Sequence, residues 1–135
     1  MSKKLVRVVC AAIEDHGTYL ITQRNQSAVF PLMWEFPGGR VEEGESDVEA
    51  LVRELNYRLG IEATVGAVIS TTTKSYNAFD VQLTLYHVQA GPLPPKPLRV
   101  HDLAWVPYDG FDQYAFAPAD ESAIASMLTS HHQLH

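Results

Sequence analysis

Length, composition and charge exclude several classes of protein. The chain has 135 residues, 46% of them hydrophobic and 19% charged, which is typical of one globular domain with a real core. A formal net charge of −6 argues against a broad basic face for nucleic acid, so a polyanionic ligand needs a metal ion or a few placed cations. The single cysteine, Cys10, gives no disulfide framework, and no stretch approaches the roughly 20 apolar residues of a membrane span. We therefore expect a cytoplasmic chain with one domain over residues 1–135 and no nucleic-acid or membrane partner.

The first part of the chain predicts a β-hairpin followed by a loop. Residues 5–13 are apolar and β-branched, as in a strand buried on both faces. Residues 15–17 are turn formers, and residues 19–23 predict the returning strand. A loop over residues 25–33 leads to Phe36-Pro37-Gly38-Gly39, where glycine permits a tight backbone path.

Residues 46–59 predict an α-helix with defined ends. Ser46 and Glu49 have the spacing of a capping box, and Gly60 is placed to end the helix. Apolar residues recur at helical spacing and predict one buried stripe, formed by Val48, Leu51, Val52, Leu55 and Leu59.

The second half of the chain predicts three more strands. Residues 61–73 and 79–88 are rich in β-formers, and residues 101–106 predict a short strand with Trp105 in the core. Residues 91–97 contain four prolines and predict a loop.

The end of the chain predicts a closing helix over residues 118–128, with an apolar face, followed by a frayed tail that contains His131, His132 and His135. Strands on both sides of a helix, and a second helix at the end, indicate an α/β fold with a mixed sheet between helices.

Residues 39–61 read GRVEEGESDVEALVRELNYRLGI and resemble the Nudix box. That pattern is Gly, five residues, Glu, seven residues, Arg-Glu, an aliphatic, any residue, Glu-Glu, any residue, Gly and an aliphatic. Seven of its nine specified positions match, and these are Gly39, Glu45, Arg53, Glu54, Leu55, Gly60 and Ile61. The two that differ are Tyr57 and Arg58, where the family has adjacent glutamates.

The resemblance runs nearly end to end. Residues 34–39 are similar to the entry to the box in MutT-type enzymes, and residues 116–120 to their C-terminal segment, with the CTP pyrophosphohydrolase and oxidised-nucleotide branch as the nearest match. The resemblance implies the Nudix α/β/α sandwich with a mixed β-sheet, as a single Nudix domain over residues 1–135.

The resemblance also implies a divalent metal site, with Mg²⁺ or Mn²⁺ as cofactor. Positions i, i+3 and i+4 of a helix share a face, and in the family positions 54, 57 and 58 hold the metal together with the backbone carbonyl at Gly39. Here that face reads Glu54, Tyr57 and Arg58. Two carboxylates are lost and a cation that repels Mg²⁺ is gained, so we expect weak metal binding.

Three further positions are assigned by the resemblance. Glu45 and Arg53 form the pair that ties the loop to the helix, and with Glu54 they are the predicted catalytic residues. The family places a carboxylate six residues before Trp105, where this chain has Arg99. We expect Asp102 to substitute for it, so that the predicted metal ligands are Gly39, Glu54 and Asp102.

Four side chains are predicted to contact the substrate, and three of them have an alternative. Arg24 lies near the phosphates in relatives, but a solvated surface arginine is an equal interpretation. Phe79, with Tyr76 beside it, can stack on a base or pack in the core. Asp120 corresponds to the residue that hydrogen-bonds the nucleobase, but it can also cap the helix that follows. Arg58 can neutralise phosphate as a fixed cation.

Two functions are therefore compatible with the sequence. In the first, the chain hydrolyses a nucleoside triphosphate, oxidised or modified, to the monophosphate and pyrophosphate with weakened activity and a preference for Mn²⁺ or a less charged substrate. In the second, it is a catalytically inactive nucleotide-binding module. In both, the partner is a small nucleotide and the protein is a monomer or homodimer.

Overall fold

The computed structural model describes residues 3–118 and 120. In this part of the chain the strands are β1 (Lys4–Asp15), β2 (Thr18–Gln23), β3 (Trp34–Glu35), β4 (Gly38–Arg40), β5 (Ala63–Ser75), β6 (Phe79–Ala90) and β7 (Asp102–Pro107). The α-helix is α1 (Asp47–Leu59), and a 3₁₀ helix spans Tyr108–Gln113. No helix among these residues is long and apolar enough to cross a lipid bilayer.

The strands form one mixed sheet centred on β1. The strand order is β3-β2-β1-β6-β5, with β4 added to β1 and β7 added to β2. Residues 4–13 of β1 run parallel to β6, whereas residues 8–10 pair with β4 in the antiparallel sense. The α/β fold with a mixed sheet is thus confirmed.

The core lies on both faces of β1, as the sequence predicts. Alternate residues of a strand point to opposite faces, so Val9 and Ala11 pack towards α1 whereas Cys10 and Ala12 pack towards an aromatic cluster. That cluster contains Phe36, Phe111 and Phe116. Cys10 is 2% exposed, and burial raises the pKa of its thiol, which suits a core residue rather than a nucleophile.

Helix α1 has the predicted ends. The backbone N–H of Glu49 donates to Ser46 Oγ at 3.1 Å, and the N–H of Ser46 donates to Glu49 Oε1 at 3.0 Å. Gly60 ends the helix with φ of 68°, a left-handed conformation that favours glycine.

The predicted apolar stripe of α1 is wrong at two positions. Val48 and Val52 are 48% and 38% exposed, whereas Ala50 and Glu54 are buried beside Leu51. The buried face is rotated towards Ala50 and Glu54, and the Glu54 side chain packs against Gly39 of β4.

The expected place of Trp105 in the core also needs correction. Trp105 is 36% exposed, and its neighbour Val106 is the buried residue of β7, since adjacent strand residues face opposite ways. The tight backbone path expected at Gly38 is confirmed, because Gly38 lies in β4 and an added Cβ would come within 2.0 Å of the Val9 carbonyl oxygen. The predicted closing helix over residues 118–128 and the tail histidines lie outside the described residues, apart from Pro118 and Asp120.

Candidate functional site

One cavity of about 460 Å³ collects most of the predicted substrate residues. It is bounded by β1 and β4, by the loop before β3, and by the start of β6. The charged side chains that line it, within the described part of the chain, are Arg24, Glu35, Arg40, Arg58 and Asp120.

Glu45 and Arg53 tie the loop before α1 to the helix, as predicted. Arg53 Nε donates to Glu45 Oε2 at 2.7 Å, and Arg53 Nη2 donates to Glu45 Oε1 at 3.0 Å. Arg53 Nη2 also donates to the carbonyl of Arg40 at 2.9 Å, which fixes the helix to β4. The hydrogen bonds from Arg53 lower the pKa of Glu45 to about 2.

Glu54 is buried between two guanidinium groups. Its Oε1 accepts from Arg53 Nη1 at 2.7 Å and its Oε2 accepts from Arg58 Nε at 2.5 Å. The carboxylate lies over Gly39, where an added Cβ would come within 2.4 Å of Glu54 Cδ. Glycine at position 39 is therefore a packing requirement of this ion pair.

Tyr57 does not join Glu54 and Arg58, contrary to the predicted three-residue face. Three residues advance a helix by about 300°, so position 57 lies roughly 60° to one side of position 54, and four residues place position 58 about 40° to the other side. The Tyr57 ring is 53% exposed and lies 4.1 Å from Arg99 Cζ, while Arg99 Nη1 donates to the Tyr57 carbonyl at 2.7 Å. Tyr57 and Arg99 contact each other outside the cavity.

The residues present do not fit the divalent ion that the resemblance implies. Mg²⁺ requires several oxygen ligands in octahedral geometry, but the one carboxylate of this helix face accepts hydrogen bonds from Arg53 and Arg58 on its two oxygens. Asp102 is exposed at the start of β7, accepts from the N–H of Leu103 at 2.8 Å, and does not line the cavity. Within residues 3–118 and 120, no group of three or more acidic, histidine or cysteine side chains is placed to hold a metal.

Two acids are brought together on another part of the cavity wall. Arg24 Nη1 donates to Glu35 Oε1 at 2.8 Å, and the N–H of Phe36 donates to Asp120 Oδ1 at 2.9 Å. Asp120 is 3% exposed, and burial raises its pKa well above the usual value, with a further rise from the nearby charge of Glu35. Burial also raises the pKa of Glu35, but Arg24 opposes that rise. The arrangement favours a neutral Asp120, which can donate as well as accept hydrogen bonds.

The structure resolves the alternatives for two other residues. Arg24 lies in the cavity wall, where its Nε donates to the Val29 carbonyl at 2.5 Å, so it is not a freely solvated surface residue. Phe79 is 38% exposed and stacks on Tyr76 at a centroid distance of 5.2 Å and an interplanar angle of 25°. Phe79 lines the cavity and belongs to neither buried cluster, so the core interpretation is wrong.

Sequence reasoning missed Glu35 and Arg40 as cavity residues. Glu35 sits between the apolar residues Trp34 and Phe36, and a carboxylate in such a position is a signal for a buried polar partner. Arg40 directly follows Gly39, where the backbone path is tight. A cation at such a position indicates a cavity residue less strongly than the carboxylate of Glu35 does.

Comparisons with known proteins show which family the sequence matches. A family model described as the NUDIX domain matches residues 8–126. The CTP pyrophosphohydrolase of Escherichia coli K12 is 39% identical over 128 residues, with 93% of each chain covered. The 8-oxo-dGTP diphosphatase of Haemophilus influenzae is 29% identical over 133 residues, with 98% of each chain covered.

Solved structures show the same fold. The solution structure of the Escherichia coli ORF135 protein matches with a TM-score of 0.83 and 35% identity, covering 94% of this chain and 91% of that one. A MutT protein of the Nudix family from methicillin-resistant Staphylococcus aureus matches with a TM-score of 0.78 and 33% identity, covering 96% and 99%. The sequence, the fold and the box helix together place this chain in the Nudix family, related to CTP pyrophosphohydrolase and 8-oxo-dGTP diphosphatase.

Proposed function

We propose that the chain is a MutT-type Nudix hydrolase that splits a nucleoside triphosphate, with water, into the monophosphate and pyrophosphate at a reduced rate. One observation carries this proposal. A single cavity joins the Arg58 side of the box helix to two neighbouring acids, the partly exposed Glu35 and the buried Asp120. Such a cavity offers a cation for phosphates and a hydrogen-bonding group for a base within one site.

The base is proposed to bind at Asp120. A neutral acid presents both a donor and an acceptor, which suits a base edge that carries both kinds of group. The exposed faces of Tyr76 and Phe79 lie in the same cavity and provide a stacking surface. The names of two relatives give the substrates to test, CTP and 8-oxo-dGTP.

The phosphates are proposed to lie near Arg58, with Glu54 aligning the attacking water. Each carboxylate oxygen of Glu54 accepts one hydrogen bond from an arginine and retains a second lone pair that can accept from water. We expect slow turnover, because this helix face supplies one carboxylate where the resemblance implies three.

The test is pyrophosphate release from CTP, 8-oxo-dGTP and unmodified dGTP, each with Mg²⁺ or Mn²⁺. Glu54→Gln keeps the size of the side chain and removes its charge, so it is the matched control. We expect slow release by the wild type that exceeds release by Glu54→Gln. Release no faster than that of the control, for every nucleotide and both metals, would refute the proposed hydrolysis.

A second candidate is a catalytically inactive nucleotide-binding module. The observation that favours it is the ion pair between Arg58 and Glu54, which commits the carboxylate of the box helix to an internal partner. Calorimetry discriminates between the two functions. Binding of CTP or 8-oxo-dGTP without any pyrophosphate release supports the module, and release above the control excludes it.

A further inference from the structure

The cavity carries an excess of positive charge in a chain whose net charge is −6. Among the residues that the structure describes, three arginines line it, Arg24, Arg40 and Arg58, against two acids, Glu35 and Asp120. Arg24 is paired with Glu35 at 2.8 Å. Burial raises the pKa of Asp120 and so favours its uncharged form. Arg58 is paired with Glu54 of the helix beside the cavity, so Arg40 is the arginine of the described wall that no carboxylate balances.

Arg40 is the cation most available to a ligand. Its side chain is exposed at the cavity wall, immediately after Gly39. Among the residues that the structure describes, it has no carboxylate partner within ion-pair distance. Because no carboxylate of the described residues pairs with it, the Arg40 guanidinium can direct its N–H donors to a phosphate.

Arg40 and Arg58 belong to one connected network. The carbonyl of Arg40 accepts from Arg53, Arg53 donates to Glu54, and Glu54 accepts from Arg58. Glu45 joins this network through hydrogen bonds to Arg53, and the exposed Glu42 lies 3.9 Å from Arg53 at its edge. A divalent ion placed beside Glu54 would meet the Arg58 guanidinium at contact distance, and that repulsion opposes metal binding.

We propose that Arg40 and Arg58 form a metal-free polyphosphate site that binds the nucleotide as the free anion, so that divalent cations compete with the protein for its ligand. The proposal rests on the proposed function in taking a nucleoside triphosphate as the ligand. Guanidinium groups bind phosphate oxygens in a bidentate manner and supply the neutralisation that a metal otherwise gives. A nucleotide that carries Mg²⁺ has two fewer net negative charges and brings a cation into a cationic cavity.

The experiment is calorimetric titration with a CTP analogue in which a methylene replaces the oxygen between the α and β phosphorus atoms. Binding is measured in EDTA and again in excess Mg²⁺. We expect binding in EDTA and a higher Kd in Mg²⁺. Arg40→Gln and Arg58→Gln should each raise the Kd in EDTA by about tenfold or more, as expected for the loss of a charge-assisted hydrogen bond.

Lys96→Gln is the matched control, because it also removes one positive charge from an exposed side chain but lies outside the cavity. Its Kd should equal that of the wild type. Arg40 has no ion-pair partner in the described part of the chain, so Arg40→Gln should fold like the wild type, which circular dichroism can verify.

Equal or tighter binding in Mg²⁺, or an Arg40→Gln variant that binds like Lys96→Gln, would overturn the metal-free site. These outcomes are separable from a failure of the proposed hydrolysis, since the analogue cannot be cleaved between its α and β phosphates. A protein that releases pyrophosphate but binds the analogue only with Mg²⁺ keeps the proposed function and refutes this inference. A protein that binds the analogue in EDTA but releases no pyrophosphate from CTP keeps this inference and refutes the proposed hydrolysis.

Discussion

Replacing Gly39 by alanine tests the packing of the site most sharply. The added Cβ would lie 2.4 Å from Cδ and 2.6 Å from Oε2 of Glu54, so the carboxylate has to move. Movement breaks or lengthens its hydrogen bonds to Arg53 and Arg58. Overpacking costs about 1–3 kcal/mol, and hydrogen bonds to charged groups contribute about 1.5–3 kcal/mol each. With one of the two hydrogen bonds lost, we expect Gly39→Ala to lower the free energy of unfolding by about 2.5–6 kcal/mol.

The assay is urea unfolding followed by circular dichroism, with Gly91→Ala as the matched control. A Cβ at Gly91 meets Glu62 Cβ at 3.4 Å, an ordinary contact, so that variant should change stability by less than about 0.5 kcal/mol. On a Glu54→Ala background the cost of Gly39→Ala should fall below about 1 kcal/mol, because the clashing atoms are gone. Equal stabilities for Gly39→Ala and Gly91→Ala would refute the reasoning.

Three further predictions concern charge. Asp120→Asn should become more stable relative to the wild type as pH rises from about 4. The raised pKa of Asp120 means that the folded wild type favours the protonated acid, so the contribution of Asp120 to stability is lost as pH rises through that pKa. Melting curves in which the difference between variant and wild type stays constant with pH would contradict this. Glu45→Gln should lose less stability on acidification than the wild type. Glu45 has a pKa of about 2 when paired with Arg53, so its carboxylate stabilises the fold above pH 4.5 and loses that effect as pH falls towards 2. Urea unfolding at pH 3 and pH 6 measures this, and a fall in stability equal to that of the wild type would contradict the prediction. The double change of Tyr57 and Arg58 to glutamate should raise Mg²⁺-dependent pyrophosphate release, and an inert double variant would show that other parts of the site are also impaired.

Much of the fold could be predicted because local rules and tertiary packing agree. The capping pair Ser46 and Glu49 and the terminal Gly60 define α1 through backbone geometry alone. Residues 5–13 are apolar at successive positions, which already requires burial on both faces of a strand. The organisation as one domain over residues 1–135, the cytoplasmic location and the oligomeric state stay predictions.

The errors arise where a tertiary contact decides what periodicity cannot. Glu54 is buried because it packs against Gly39 of β4 and pairs with Arg53 and Arg58, and apolar periodicity does not reveal such a position. Tyr57 leaves the cavity side because Arg99, distant in sequence, stacks on its ring and binds its carbonyl. Arg40 could not be identified, since its role depends on the side of the sheet that faces the cavity.

The same limit applies to the metal prediction. The family pattern treats position 58 as a ligand, and the sequence alone shows only that a cation stands there. The structure shows that this cation is paired with Glu54, the carboxylate that the metal would need. The ion pair, and not only the missing glutamates, therefore opposes a metal at this helix.

Titration of the ligand-free protein with Mn²⁺, followed by the electron paramagnetic resonance signal of free Mn²⁺, tests this account most directly. We predict no saturable binding below millimolar Mn²⁺ in the wild type, and a new site when Tyr57 and Arg58 are both changed to glutamate. Tight Mn²⁺ binding by the wild type that Glu54→Gln abolishes would contradict it, because Glu54 would then hold a metal in spite of Arg58.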